Sequence, residues 1–124
     1  MKKMAICLLL TATLTTFSCK KEHQPENHNV HIDLQGWFDN DQVTVFIDGK
    51  QTFSGTATTN ITLGWAGSTS STLRSGLHTI KVMVNNNQSA SRPFALNNEL
   101  WIGVNLGVQK NFEFIVSKYA FNYE

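Results

Sequence analysis

The chain has 124 residues, ten Lys and Arg against nine Asp and Glu, and a formal net charge of +1. Only 15% of it is charged, and Asn, Thr, Ser and Gly fill much of the rest, so neither nucleic acid nor an anionic bilayer surface is indicated as an electrostatic partner. This length accommodates one domain with one core.

Lys2 and Lys3 form a short positive region ahead of an apolar run, Met4 to Leu10 with Leu14. That run is too short to cross a bilayer as a helix and reads as a targeting segment. It ends at Thr16-Phe17-Ser18-Cys19, where a small residue precedes a cysteine. This junction resembles the lipobox of bacterial lipoproteins cut by the type II signal peptidase, with Thr16 where Leu is usual. The resemblance implies removal of residues 1–18 and a lipid on Cys19, the new N-terminus. The competing reading is a secretory signal cut elsewhere, with Cys19 a lone thiol. Cys7 would leave with the signal, so the mature chain would have no internal disulfide and would depend on its core for stability.

The mature chain would hold eight Lys and Arg, ten less Lys2 and Lys3, against nine acids, a net charge near −1. Residues 19–29 are polar and aperiodic, which predicts a lipidated flexible tether. Lys20, and not Asp, follows the cysteine. By the same resemblance this implies the outer membrane and not retention at the inner one, and the charged run Lys20-Lys21-Glu22 is similar to signals that carry lipoproteins to the cell surface. His23, His28 and His31 are expected to be solvated linker histidines, because spacings of five and three in a tether do not preorganise a metal site.

From Val30 the pattern has the period of two that belongs to strands. Val30, Ile32 and Leu34 alternate with polar residues, as do Val43, Val45 and Ile47. Asp48-Gly49 then predicts a hairpin whose two central residues take positive φ. Thr56 to Thr62 is β-branched, Gly64-Trp65-Ala66-Gly67 is a bend, and Ser68 to Leu73 fits either a polar strand or a long loop. The cleanest alternation is Ile80, Val82 and Val84. Asn85-Asn86-Asn87 is a turn, and Pro93 confines Gln88 to Leu96 to an edge or a bulge. Leu100, Ile102, Val104 and Leu106, then Phe112, Phe114 and Val116, alternate before a terminal Tyr119 to Tyr123. Eight or nine short strands without helical periodicity predict an all-β, antiparallel β-sandwich over residues 30–124. Val45 to Lys50 and Gly76 to Val82 resemble segments of small immunoglobulin-like or jelly-roll domains of bacterial surface proteins, which implies a fold and no activity.

No Ser sits in a nucleophile elbow, His78 lies in a strand, and Asp33, Asp39, Asp41, Asp48, Glu99 and Glu113 are scattered. No catalytic residue is assigned, and the chain is read as a non-enzyme. Asp39-Asn40-Asp41 is compact enough to raise calcium, but a polar turn explains the same residues through local hydrogen bonds, so no metal or cofactor is assigned. The matches to the glycosylation pattern at Asn60 and Asn87 are discounted as chance in so Asn-rich a chain.

A sandwich of this size buries about one tryptophan, and there are three, which leaves rings for a surface. Trp37 adjoins the Asp39 to Asp41 loop, Trp65 lies in a Gly-flanked bend, and Trp101 is out of phase with Ile102 and Val104. Trp37, Asp39, Asp41, Trp65 and Trp101 are therefore the candidate ligand-binding residues, at the end of the sandwich away from the tether; filling of the core by all three rings is the competing reading. The expected function is a non-catalytic binding module, for glycan in the first instance, on an outer-membrane or cell-surface lipoprotein. The alternative is a structural subunit that packs against other envelope proteins.

Overall fold

The computed structural model describes residues 26–109 and 111–124. The expected signal peptide, Cys19 and most of the expected tether lie outside the described residues. Eight strands make up the fold, with no helix among the described residues: β1 (Asn27–Leu34), β2 (Asp41–Ile47), β3 (Lys50–Ala57), β4 (Gly67–Arg74), β5 (Gly76–Val84), β6 (Gln88–Leu96), β7 (Leu100–Leu106) and β8 (Phe112–Ser117).

They form two four-stranded sheets, β4-β1-β7-β8 and β3-β2-β5-β6. Alternation decides which face of each is dry. Val30, Ile32 and Leu34 of β1 meet Ile102, Val104 and Leu106 of β7 on the inner face of the first sheet. Val43, Val45, Ile47, Ile80, Val82 and Val84 line the inner face of the second, and these residues share one core with Phe38, Phe94 and Leu96. Each fully buried aliphatic side chain contributes about 1.5–3 kcal/mol, which is how a chain without a described disulfide holds two sheets together.

Several local expectations meet their physical cause here. Asp48 and Gly49 have φ of 52° and 82° in the β2–β3 turn, the left-handed pair that a two-residue hairpin requires, and Asn85 and Asn86 have 55° and 59° in the three-residue β5–β6 turn. Ser68 to Leu73 is a strand, since β4 pairs along its whole length with β1. Other expectations change. β1 begins at Asn27, so His28 and His31 belong to a strand and are not linker histidines; pairing with β4 orders them. One ladder, β1 with β7, is parallel, and the other five are antiparallel. Tyr119 to Tyr123 adds no ninth strand.

Strand directions sort the connections into two ends. The chain enters β1 at one end, together with the β2–β3, β4–β5 and β6–β7 connections. The β1–β2, β3–β4, β5–β6 and β7–β8 connections lie at the other. Phe38 closes that second end of the core, almost wholly buried.

Candidate functional site

At that second end, the β1–β2 and β3–β4 connections enclose a cleft of about 550 Å³ lined by Gly36, Trp37, Phe38, Asp39, Thr58, Thr59, Ile61 and Gly64. Trp37 is its dominant feature. Its backbone is left-handed, φ 70°, in a region that costs a residue with a side chain about 1–2 kcal/mol, and its side chain is 60% exposed. A tryptophan held in a strained conformation with most of its surface in solvent is a departure that packing of the core does not require.

The strain persists because both flanks are tied down. Gln35 N–H donates to the Val104 carbonyl (2.8 Å), and the Gly36 carbonyl accepts from Leu106 N–H (3.0 Å). On the other side, Phe38 N–H donates to Thr59 Oγ1 at 2.9 Å, and that hydroxyl donates to the Gln35 carbonyl at 2.6 Å. Thr59 N–H closes the loop on the Phe38 carbonyl (2.9 Å), and Asn40 N–H donates to Thr58 Oγ1 (2.8 Å). With these groups committed, the residues on either side of Trp37 are held in place.

A chain of side chains reaches the same point from the outer face of the first sheet. Tyr123 Oη donates to Asp33 (2.7 Å), Gln35 Nε2 donates to Tyr123 Oη (2.8 Å), Asn105 Nδ2 donates to Gln35 Oε1 (2.7 Å), and Gly36 N–H donates to Asn105 Oδ1 (2.8 Å). Two glycines make room for it. A Cβ on Gly103 would lie 2.6 Å from Gln35 Cδ, and one on Gly36 would lie 2.9 Å from Asn105 Oδ1. Burial, with the Asp33 carboxylate, raises the pKa of the Tyr123 hydroxyl well above the usual tyrosine value, against the opposing bond from Gln35. The proton on which this chain depends is therefore retained.

The five candidate residues separate. Trp37 and Asp39 line the cleft together. Asp41 does not: it is buried, accepts Asp39 N–H at 2.9 Å on one oxygen and Asn85 Nδ2 at 2.8 Å on the other, and so ties the loop to the β5–β6 turn. These bonds give the Asp39 to Asp41 stretch the local role of a turn, and no group of three His, Cys, Asp or Glu side chains able to hold a metal occurs among the described residues. Trp65 is half-buried at the base of the β3–β4 connection, where it bridges Asn60, and it does not line the cleft. Trp101 stands on the outer face, as its phase requires, stacked on His31 with ring centroids 4.9 Å apart. His31 in turn is hydrogen-bonded to Glu99 (2.6 Å), at the end of β7 remote from the cleft.

Sequence reasoning missed Gln35, Gly36, Asn105, Tyr123 and Ile61. A faint signal existed for one of them, Asn105. Gly103 and Asn105 interrupt the outward face of a strand that carries Trp101, and a glycine inside a strand marks a close approach. Searches of protein-family models, curated proteins and solved structures find nothing that matches this chain.

Proposed function

We propose that this chain is an outer-membrane lipoprotein, anchored through Cys19, whose β-sandwich binds glycan non-catalytically at the Trp37 cleft. The observation that carries this reading is Trp37, left-handed at φ 70° and 60% exposed between hydrogen-bonded neighbours. A fixed, solvent-facing indole offers the flat apolar surface on which the C–H face of a pyranose stacks. Asp39 in the same cleft supplies the acceptor that orients sugar hydroxyls, since an ionised carboxylate accepts only. Asp39 is also the one acidic or basic side chain lining the cleft, which suits binding, whereas glycoside hydrolysis ordinarily pairs two carboxyl groups.

The anchor fits this orientation. Residues 20–26 separate Cys19 from β1, a reach of at most about 25 Å, and the chain enters β1 at the end opposite the cleft. A lipid on Cys19 would leave the cleft directed away from the bilayer, and the outer leaflet of the outer membrane would direct it at extracellular glycan.

A protein partner is the second reading, favoured by Ile61, which is 95% exposed on the rim of the cleft. Glycan arrays probed with the full chain, beside a pull-down from solubilised envelope, separate the two. Glycan binding should fall by about tenfold or more in Trp37→Ala and Asp39→Asn, as for a central binding residue. Arrays without signal, together with a protein captured through Ile61, would replace the glycan reading with an assembly role. Palmitate-analogue labelling should be lost in Cys19→Ala; retention of label and membrane association would refute the anchor.

A further inference from the structure

The chain from Tyr123 to Gly36 has a polarity that leaves no alternative arrangement. The Tyr123 hydroxyl donates to an Asp33 carboxyl oxygen and keeps its lone pairs for Gln35. Gln35 must then present Nε2 to Tyr123, which aims Oε1 at Asn105. Asn105 must answer with Nδ2, which leaves Oδ1 for the Gly36 N–H. The Gly36 N–H at one end and a hydroxyl on the segment after β8 at the other thus agree on one orientation of two amides, and the last of them holds the residue immediately before Trp37. Asp33 and Gln35 are both buried, so water does not readily substitute for a lost partner, and a half-satisfied buried network is worse than none.

We propose that Tyr123 and Asn105 are positioning residues of the Trp37 platform, and that the segment after β8 thereby sets the affinity of a cleft whose ligand it does not touch. Without the hydroxyl, Gln35 Nε2 loses its acceptor, and the amide is held from one side alone, by Asn105 Nδ2. Where Gln35 turns to present Nε2 to Asn105 instead, that amide can accept it only by taking Oδ1 away from the Gly36 N–H. The anchor before Trp37 then has a competitor, and the left-handed residue gains a route to relax. The affinity claim rests on the reading of the cleft as the binding site; the claim about Trp37 itself does not.

The test is fluorine NMR of the full chain labelled with 5-fluorotryptophan, its three resonances assigned by substitution. Tyr123→Phe, which keeps the ring and removes the hydroxyl, should shift and broaden the Trp37 resonance and leave those of Trp65 and Trp101 in place. Glycan affinity should fall by about fivefold, the equivalent of one net hydrogen bond. The double variant Tyr123→Phe/Asn105→Asp should restore the Trp37 resonance, because a carboxylate at 105 accepts from a rotated Gln35 and from Gly36 N–H alike, a rescue that loss of packing alone does not predict. An unchanged Trp37 resonance in Tyr123→Phe, collapse of all three resonances together, or failure of the second substitution to restore Trp37 would each overturn the proposal. Undiminished glycan binding by Trp37→Ala would instead overturn the cleft as the site and leave the fluorine result to judge Tyr123.

Discussion

Replacing Trp37 with Gly and with Ala should reverse the usual order of those two residues. Ala is ordinarily the more stable, because Gly loses about 0.5–1 kcal/mol more conformational entropy on folding. At φ 70° an Ala still bears the left-handed penalty of about 1–2 kcal/mol, which Gly escapes. The difference leaves the Gly variant ahead by about 0.5–1 kcal/mol. Both variants also lose the covered 40% of the indole, the complement of its 60% exposure, which is about 100 Å² of a ring of about 250 Å². At about 25 cal/mol per Å² that burial is worth at most about 2.5 kcal/mol, and less against a compact unfolded chain. Relief of strain, net of the glycine entropy, offsets about 0.5–1 kcal/mol of this in the Gly variant, so it should unfold within about 2 kcal/mol of the parent, short of the 3–5 kcal/mol cost of truncating a core tryptophan. Urea denaturation at constant m-value measures the series, and glycan binding should be lost equally in both variants. An Ala variant as stable as the Gly variant, or a loss above about 3 kcal/mol in either, would refute the account of Trp37 as a strained, outward-facing residue.

Gly103→Ala should cost about 1–3 kcal/mol by forcing Gln35 out of place, measurable as a lowered urea midpoint; an unchanged midpoint would mean that Gln35 has other room. Asp41→Ala should destabilise by about 1–3 kcal/mol, since it leaves Asp39 N–H and Asn85 without their acceptor, whereas Asp39→Ala should be nearly silent in the same melts; equal effects would show that both acids are structural. His78, hydrogen-bonded to Asp48 at 2.6 Å, has its pKa raised above 6.5 mainly by that bond, against opposing burial and with help from the Arg74 carbonyl. Its contribution to stability is therefore complete below about pH 6.5 and is lost as the pH rises through the raised value. Burial pulls Asp48 up, but the His78 bond, the Thr79 N–H and the charge of His78 outweigh it and bring its pKa below 3.8, so its share is present above about pH 3.8 and lost as the pH falls through the lowered value. Stability measured from pH 4 to 9 should decline on the alkaline side, and His78→Gln should flatten that decline; an unaltered slope would place the titration elsewhere.

The two sheets were legible because strand signals are local. Val30-Ile32-Leu34 and Ile80-Val82-Val84 alternate with the period of the pleat, and Asp48-Gly49 and Asn85-Asn86 supply the left-handed turn residues that hairpins require. Trp101 could be placed outward on the same ground, since its phase against Ile102 is a property of seven consecutive residues. Trp37 and Asp39 could be named as surface candidates because an aromatic beside a run of Asp and Asn signals a loop. Nothing local gave His31 its place beside Trp101, because the strand that sets the two side by side, β7, is about 70 residues away in the chain. Asp41 and Asp39 are equally acidic in sequence, and only Asn85, brought up by the β5–β6 turn, makes one structural and leaves the other in the cleft. The support of Trp37 draws on more elements still, for Gly36, Thr59, Asn105 and Tyr123 meet only when β1, the β3–β4 connection, β7 and the segment after β8 come together. Periodicity determines which face of a strand is dry, whereas which polar groups meet across the sheets depends on register and strand order, set by the burial of the whole core at once.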